Sequence, residues 1–277
     1  MRILHVCAEL FPLLKTGGLA DVAGALPLAL NGQGCDTRVL LPGFPSVLAG
    51  LRQAGEVAQL QTFAGPARLL FGHTDAGVAL YVIDAPQLYD RPGNPYHDAQ
   101  QHPYADNHLR FALLGWMAAQ LADGVDGWWR PEVVHGHDWH AGLAPSYLAA
   151  QGRKVPSVFT IHNLAYQGVF PARCFDGLGL PADFFSLHGL EYHGQLNFMK
   201  AGIFYADRIT TVSPSYAREI TTHEQGCGLD GLLRERGAFL SGILNGVDDA
   251  VWNPAIDTAI AASYSPATGP TYPCFRR

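Results

Sequence analysis

The stretch RILHVCAELFPLLKTGGLADVAGALPLALNGQGCDTRVLLPG, residues 2–43, decides the fold. Its apolar run at residues 3–8 is short and is followed by a charged residue, which predicts a buried strand rather than a helix. The pair Gly17-Gly18 then leads into an Ala- and Leu-rich helix over residues 19–30, and residues 37–41 predict a second strand. Strand, loop, helix and strand in this order predict the opening of a Rossmann-like, doubly wound, mostly parallel sheet.

The same alternation of strands and helices continues along the chain. Further strands are predicted at residues 56–63, 67–71, 78–83, 133–135, 155–161, 208–212 and 240–244. Further helices are predicted at residues 107–121, 143–150, 196–205 and 214–220. We therefore expect an α/β protein, in which ligands bind at the carboxyl edge of the sheet.

Composition excludes several classes of protein. Of the 277 residues, 48% are hydrophobic and 15% are charged, which excludes a disordered chain and a coiled coil. A net charge of -6 offers nucleic acid no basic surface. The five cysteines are scattered without a C-x-x-C pair, which indicates a reducing compartment. Glu9 and Lys15 interrupt the N-terminal apolar run, so no signal peptide is expected. The longest uncharged helical stretch, residues 111–122, is too short to span a bilayer. We predict a cytoplasmic protein without nucleic-acid or membrane partners.

The segment KTGGLADV, residues 15–22, is the strongest candidate for a binding site. It follows the first predicted strand and opens the first predicted helix. Glycine has no Cβ, so the backbone N–H groups of Gly17 and Gly18 can approach an anion closely. The start of a helix adds its positive dipole end, and Lys15 adds a full charge. These features together predict a diphosphate site. The same sequence pattern would also arise from a glycine turn with a solvated lysine and no ligand.

Seven motifs in order resemble those of a known family. They are KTGGLADV (15–22), FAG (63–65), YDRPGNPY (89–96), HDWHAG (137–142), TIHNLAYQG (160–168), TVSPSYAREI (211–220) and LNGVD (244–248). The chain resembles bacterial glycogen synthases and plant starch synthases over about residues 1–262. Members of that family are retaining glucosyltransferases that use ADP-glucose and have the two-domain GT-B fold.

The resemblance implies roles for nine residues. The residues that it places in catalysis are His162, Asp138 and Asp21. The residues that it places in substrate binding are Lys15, Gly17, Gly18, Tyr96, Asn163 and Asn245. It places the lysine on the nucleotide-sugar phosphates and His162 within reach of the transferred glucose. The partners that it implies are ADP-glucose and an α-1,4-glucan such as glycogen, and it implies no cofactor and no metal.

The resemblance also implies a division of the chain. Residues 1–241 would form the N-terminal domain of the GT-B fold, and residues 242–262 would begin a truncated nucleotide-binding domain. Residues 263–277 depart from the family pattern and predict a disordered tail. Because a GT-B site lies between two domains, we expect this chain alone to be inactive or nearly so.

Several alternatives stay open at this point. The chain could be a non-catalytic remnant that binds glucan or nucleotide sugar, and a glucan phosphorylase is a weaker rival. UDP-glucose could replace ADP-glucose, because base recognition would lie in the other domain. The imidazoles of His135, His137 and His140 have a spacing that could hold zinc, although the resemblance implies a cleft without metal. Asp138 could be a general base or a structural carboxylate. A serine hydrolase is excluded because no G-x-S-x-G motif occurs.

Overall fold

The computed structural model describes residues 1–247 and 252–265. Within them, the strands are β1 (Arg2–Val6), β2 (Asp36–Pro42), β3 (Arg52–Thr62), β4 (Gly65–His73), β5 (Ala79–Asp84), β6 (Val133–His137), β7 (Ser157–Ile161), β8 (Val169–Pro171), β9 (Glu191–Tyr192), β10 (Gln195–Asn197), β11 (Arg208–Thr211) and β12 (Leu240–Gly242). The α-helices are α1 (Gly18–Gly32), α2 (Pro45–Ala49), α3 (Pro86–Tyr89), α4 (Asn107–Asp123), α5 (Ala144–Ala150), α6 (Phe198–Tyr205), α7 (Pro214–Glu219) and α8 (Asp230–Glu235).

The main sheet has the strand order β12-β11-β7-β6-β1-β2-β5-β4-β3. Neighbouring strands from β12 to β5 pair in parallel, and the meander of β5, β4 and β3 is antiparallel. The chain leaves β1 on one side to form β2 and returns on its other side as β6. That reversal is a topological switch point, and its crevice lies at the carboxyl ends of β1 and β6. The predicted α/β fold with a doubly wound, mostly parallel sheet is confirmed.

The core packs around the central strands and one largely buried helix. Residues of β1, β2 and β5 such as Leu4, Leu40 and Val82 are completely buried. Helix α4 is buried on most of its surface, which agrees with its nearly continuous apolar sequence. Gly115 is required in this helix because a Cβ there would lie 2.8 Å from the Ala144 backbone nitrogen of α5. Close packing of α4 on α5 therefore fixes the layer beneath the switch point.

The predicted helix over residues 196–205 begins later than the sequence indicates. Residues 195–197 form β10, which pairs with β8 and β9 in a small antiparallel sheet. Asn197 ends this strand, and its side chain accepts a hydrogen bond of 2.8 Å from the backbone N–H of Lys200. An asparagine in this position caps a helix, so α6 begins at Phe198. The last predicted strand is also shorter, since β12 ends at Gly242.

The chain divides into two compact units, Met1–Ile243 and Leu244–Arg277. In the second unit, the described residues 244–247 and 252–265 form turns and contain no helix or strand. Most of the predicted tail at 263–277 lies outside the described residues. The assignment of residues 1–241, 242–262 and 263–277 to separate domains stays a prediction. No helix of the described residues has both the length and the apolar character that crossing a membrane requires.

Candidate functional site

The bend between β1 and α1 contains most of the predicted phosphate-binding residues. Gly17 has an extended backbone (φ -152°) and precedes the first residue of α1, Gly18. A Cβ on either glycine would meet open space, so the bend is accessible from outside. The first N–H groups of a helix have no partner inside it. The backbone N–H groups of Gly18 and Leu19 therefore leave a partial positive charge at the start of α1.

Glu9 holds this bend from the inside. Its side chain is 3% exposed, and Oε2 accepts hydrogen bonds from the backbone N–H groups of Thr16 (2.6 Å) and Gly17 (3.2 Å). The hydroxyl of Thr16 donates to the other carboxylate oxygen, Oε1. The Gly17 amide is thus bound to a carboxylate of the chain itself, whereas the start of α1 stays open. The sequence analysis did not single out Glu9, although a charged residue directly after a buried strand was a signal.

Replacing Glu9 by Gln is expected to loosen this bend. A neutral amide oxygen is a weaker acceptor than a carboxylate, so we expect the free energy of unfolding to fall by about 1–3 kcal/mol. We also expect faster hydrogen exchange at the Thr16 and Gly17 amides, measured by NMR beside urea unfolding. Glu224→Gln changes an exposed glutamate and is the matched control. Unchanged exchange at both amides in the Glu9→Gln variant would contradict the assigned role.

Lys15 and Asp21 form an ion pair at the mouth of the bend. The ammonium Nζ lies 2.8 Å from both carboxylate oxygens of Asp21, and the side chains are 47% and 51% exposed. Exposed ion pairs contribute little to stability, so a more highly charged anion can replace Asp21 beside Lys15. The structure therefore brings Lys15, Gly17, Gly18 and Asp21 together.

Tyr96 joins this bend to the end of β6. Its hydroxyl donates a hydrogen bond of 2.5 Å to Oε1 of Glu9. Its ring stacks on His140 at 4.8 Å, with 15° between the planes. His140 belongs to the short 3₁₀ turn Trp139–Ala141 that follows β6. Burial, followed by the charge of Glu9, raises the pKa of Tyr96 well above its ordinary value, so the phenol stays protonated.

Asp138 follows β6 and fixes the backbone that follows β7. Its Oδ1 accepts hydrogen bonds from the N–H groups of His162 (2.8 Å) and Asn163 (3.3 Å). Its backbone is left-handed (φ 56°), a conformation that a residue with a Cβ adopts only where the surroundings impose it. Burial raises the pKa of Asp138 to about 7. Asp138, His162 and Asn163 therefore lie together, and the carboxylate already serves two amides.

His162 is the half-buried imidazole of this group. It lies directly after β7, and its Nε2 is 3.1 Å from Nδ1 of His137. Burial lowers its pKa to about 4, so the ring is neutral at pH 7. Asn163 is exposed beside it. Asn245 belongs to the second unit and is also exposed, and its role stays a prediction.

Histidines also cluster beneath the switch point. Within the described residues, nitrogens of His5, His135 and His137 all lie within 4.8 Å of one another, a spacing that a metal ion could use. The set contains His5 in place of the His140 that the sequence spacing suggested. His5 lies opposite His135 in the β1–β6 register, 130 positions away in sequence. Only the strand order could have revealed this neighbour.

An open, mostly parallel sheet with polar side chains at its switch point is the arrangement of Rossmann-type enzymes that bind nucleotide-containing ligands. The chain belongs to the family of starch synthase catalytic domains, whose pattern matches residues 2–235. It is 63% identical over 267 residues to the glycogen synthase of Erwinia tasmaniensis and 64% identical over 276 residues to that of Leptothrix cholodnii. These matches cover 96% of this chain and 56% and 57% of the two relatives. The chain therefore spans just over half the length of these relatives.

A solved structure agrees with this assignment. The catalytic domain of starch synthase IV from Arabidopsis thaliana, solved bound to ADP and acarbose, superimposes with a TM-score of 0.80 at 27% sequence identity. The superposition covers 95% of this chain and 55% of the plant domain. The resemblance to glycogen and starch synthases drawn from the seven motifs is confirmed.

Proposed function

We propose that this chain supplies the N-terminal half of a site that transfers glucose from ADP-glucose to the non-reducing 4-hydroxyl of an α-1,4-glucan, with retention. The observation that carries the proposal is the open start of α1 with Lys15 beside it, at the carboxyl end of β1. A helix start and a cation are complementary to a diphosphate. The relatives named glycogen synthase and the plant domain bound to ADP and acarbose support the same class of ligands.

In this proposal, the two groups of side chains serve the two ends of the breaking bond. Departure of the diphosphate leaves negative charge on the leaving group and an oxocarbenium-like sugar. The ion pair between Lys15 and Asp21 breaks when the diphosphate binds. Lys15 and the backbone N–H groups at Gly18 then stabilise the leaving group. His162 and Asn163 contact the transferred glucose. A neutral His162 suits this position, because a protonated imidazole would repel the developing positive charge.

The remaining site residues are given supporting roles. Asp138 holds the backbone N–H groups of His162 and Asn163. Tyr96 lines the floor of the cleft and is anchored to Glu9. Asn245 is proposed to contact substrate from the segment that follows β12. We further propose that residues 1–241 form one domain and that residues 242–262 begin a second. The nucleotide base would bind to a part of the relatives' length that this chain does not cover.

Replacing Lys15 by Ala tests the proposal most directly. The background is a chimera in which residues 1–243 of this chain are joined to the remaining C-terminal part of the Leptothrix cholodnii glycogen synthase. Loss of one fixed charge on the leaving group is expected to lower kcat by about 100- to 1,000-fold. Incorporation of radiolabelled glucose from ADP-glucose into glycogen measures it, and a parallel series with UDP-glucose tests the choice of donor.

Lys154→Ala is the matched control for this experiment. Lys154 is an exposed lysine that pairs with Asp123 at 2.6 Å, and its removal is expected to leave kcat unchanged. If both alanine variants keep the full kcat of the chimera, the bend does not hold the diphosphate. A loss that is equal in both variants would instead reflect the general charge of the domain. The predicted cytoplasmic location is proposed together with this activity, because the relatives are glycogen synthases and the cysteine pattern indicates a reducing compartment.

A further inference from the structure

Three histidines form a continuous line from the core to the candidate site. Nδ1 of His5 lies 3.1 Å from Nε2 of His137, and Nδ1 of His137 lies 3.1 Å from Nε2 of His162. His5 and His137 are each 1% exposed, while His162 is half-buried at the end of β7. Both ring nitrogens of the central histidine are therefore used, each by another imidazole.

Such a line admits two arrangements of protons. A neutral imidazole has one N–H donor and one nitrogen acceptor. If His5 donates from Nδ1, then His137 accepts at Nε2, donates from Nδ1 to His162, and leaves His162 protonated at its own Nδ1. If the direction is reversed, His162 donates from Nε2 and its Nδ1 is a bare acceptor.

The buried end of the line decides between the two arrangements. Nε2 of His5 is buried and has no hydrogen-bond partner within residues 1–247 and 252–265. The first arrangement leaves a lone pair at this nitrogen, and the second leaves an N–H group. Orphaned buried N–H groups are the rarer of the two because they lose a strong donor interaction with water. The first arrangement is therefore favoured.

We propose that His5 and His137 are positioning residues that hold His162 in the Nδ1–H tautomer. Nδ1 of His162 has no partner among the described residues, so its N–H group is left to donate to a ligand. In the proposed function, on which this consequence rests, the acceptor is a hydroxyl oxygen of the transferred glucose. Burial lowers the pKa of His5 to about 4 and that of His137 well below its ordinary value, which keeps the line neutral at pH 7.

A metal ion is the rival occupant of the same nitrogens. It would use His5, His137 and His135, and it would displace the proton between the first two. His135 has no part in the line, since its Nε2 is 2.6 Å from the hydroxyl of Thr160. A substitution at residue 135 therefore removes a ligand of the metal and leaves the line of histidines complete.

The experiment is an NMR measurement on the 277-residue chain with ¹⁵N-labelled histidine at pH 7, without substrate. Couplings across N–H···N hydrogen bonds identify both the donor and the acceptor nitrogen. We expect cross-peaks from the Nδ1 proton of His5 to Nε2 of His137, and from the Nδ1 proton of His137 to Nε2 of His162. Cross-peaks in the reverse direction, or an Nε2–H tautomer at His162, would overturn the proposal.

Two further measurements separate the line from its rivals. His135→Leu is expected to keep both cross-peaks, and so is addition of one equivalent of ZnCl₂. Loss of the cross-peaks with zinc-induced shifts at His5, His135 and His137 would identify a metal site instead. These readouts need no catalysis, so they stand even if the proposed function fails.

The chimera provides a test by rescue. His137→Leu removes the donor to His162 and is expected to lower kcat by about 10- to 100-fold, as loss of an orienting partner does elsewhere. The amide nitrogen of asparagine occupies nearly the place of Nδ1, so His137→Asn should recover most of this loss. Equal kcat values in the two variants would show that residue 137 acts through packing alone.

Discussion

A chain of these 277 residues, incubated with ADP-glucose and glycogen, is expected to transfer glucose more than about 1,000-fold more slowly than the chimera with the C-terminal part of the Leptothrix cholodnii enzyme. The reason is the charge that the site contains. Among the residues assigned to it, Lys15 alone is cationic, and it is paired with Asp21. The open start of α1 adds partial charges only. A departing diphosphate requires more compensation than this.

The size of the effect follows from contacts that the relatives' remaining length would supply. Each fixed donor or cation on the leaving group is worth about 3 kcal/mol in the transition state. The absence of two such contacts lowers the rate by about 10,000-fold, since 1.4 kcal/mol corresponds to a factor of ten. Incorporation of radiolabelled glucose into glycogen measures both proteins under the same conditions, at donor concentrations that saturate the chimera.

The outcomes of this comparison separate the alternatives left by the sequence. Turnover by the 277-residue chain within tenfold of the chimera would show that catalysis needs no contribution from the relatives' remaining length, and the two-domain proposal would be abandoned. An inactive chimera, beside a 277-residue chain that binds ADP by calorimetry, would favour the non-catalytic, nucleotide-binding alternative. An active chimera beside an inactive chain supports the proposed division of labour.

The sequence predicted the fold well where structure depends on local pattern. The apolar run of β1, the glycine pair before α1 and the strand β2 follow from periodicity and turn residues within 43 positions. The start of α6, predicted near Leu196, lies two residues later at Phe198, because Leu196 and Asn197 belong to β10 and Asn197 caps the helix.

The candidate site was predicted by type of residue rather than by contact. Lys15 and the glycines were found because their spacing has a chemical meaning. The hydrogen bonds from this bend to Glu9 depend on the path of the backbone through the bend. The spacing of apolar residues in the sequence does not predict that path. The line of histidines depends on β1 lying beside β6, and strand order is a property of the whole sheet. Sequence reasoning therefore noted only that the spacing of His135, His137 and His140 could hold zinc, and it missed His5 on β1.

The stability of the chain is expected to fall steeply between pH 7 and pH 5, because buried histidines dominate its titration. Burial lowers the pKa of His5 and His162 to about 4 and that of His140 to about 3. Burial also lowers the pKa values of His135 and His137 well below the ordinary range. Histidines in the unfolded chain have a pKa near 6.5. Below that pH they bind protons, whereas the buried histidines of the folded chain stay neutral.

The sign follows from linkage. Because the unfolded state binds more protons between pH 6.5 and pH 4, the free energy of unfolding decreases as the pH falls through this window. His5, His140 and His162 each contribute about 2 kcal/mol of loss from pH 7 to pH 5. Asp138 acts in the opposite direction, since its raised pKa of about 7 favours the folded state on acidification by about 2 kcal/mol. The net loss is several kcal/mol, comparable with the whole stability of a domain.

His140→Phe isolates one of these protons. The ring of His140 lies among aromatic rings, 4.8 Å from Tyr96 and 5.3 Å from Phe111, and its Nδ1 is buried with no partner in the described part of the chain. Phenylalanine fills the same place without a proton to gain. Urea unfolding from pH 7 to pH 5 should show an average slope smaller by about 1 kcal/mol per pH unit than in the unsubstituted chain. His102→Gln replaces an exposed histidine and is the control. Equal pH slopes in the His140→Phe and His102→Gln variants would contradict the assignment of the acid instability to buried imidazoles. The reason is that only a ring excluded from water in the folded state has a folded pKa different from its unfolded pKa, and only such a ring makes the free energy of unfolding depend on pH.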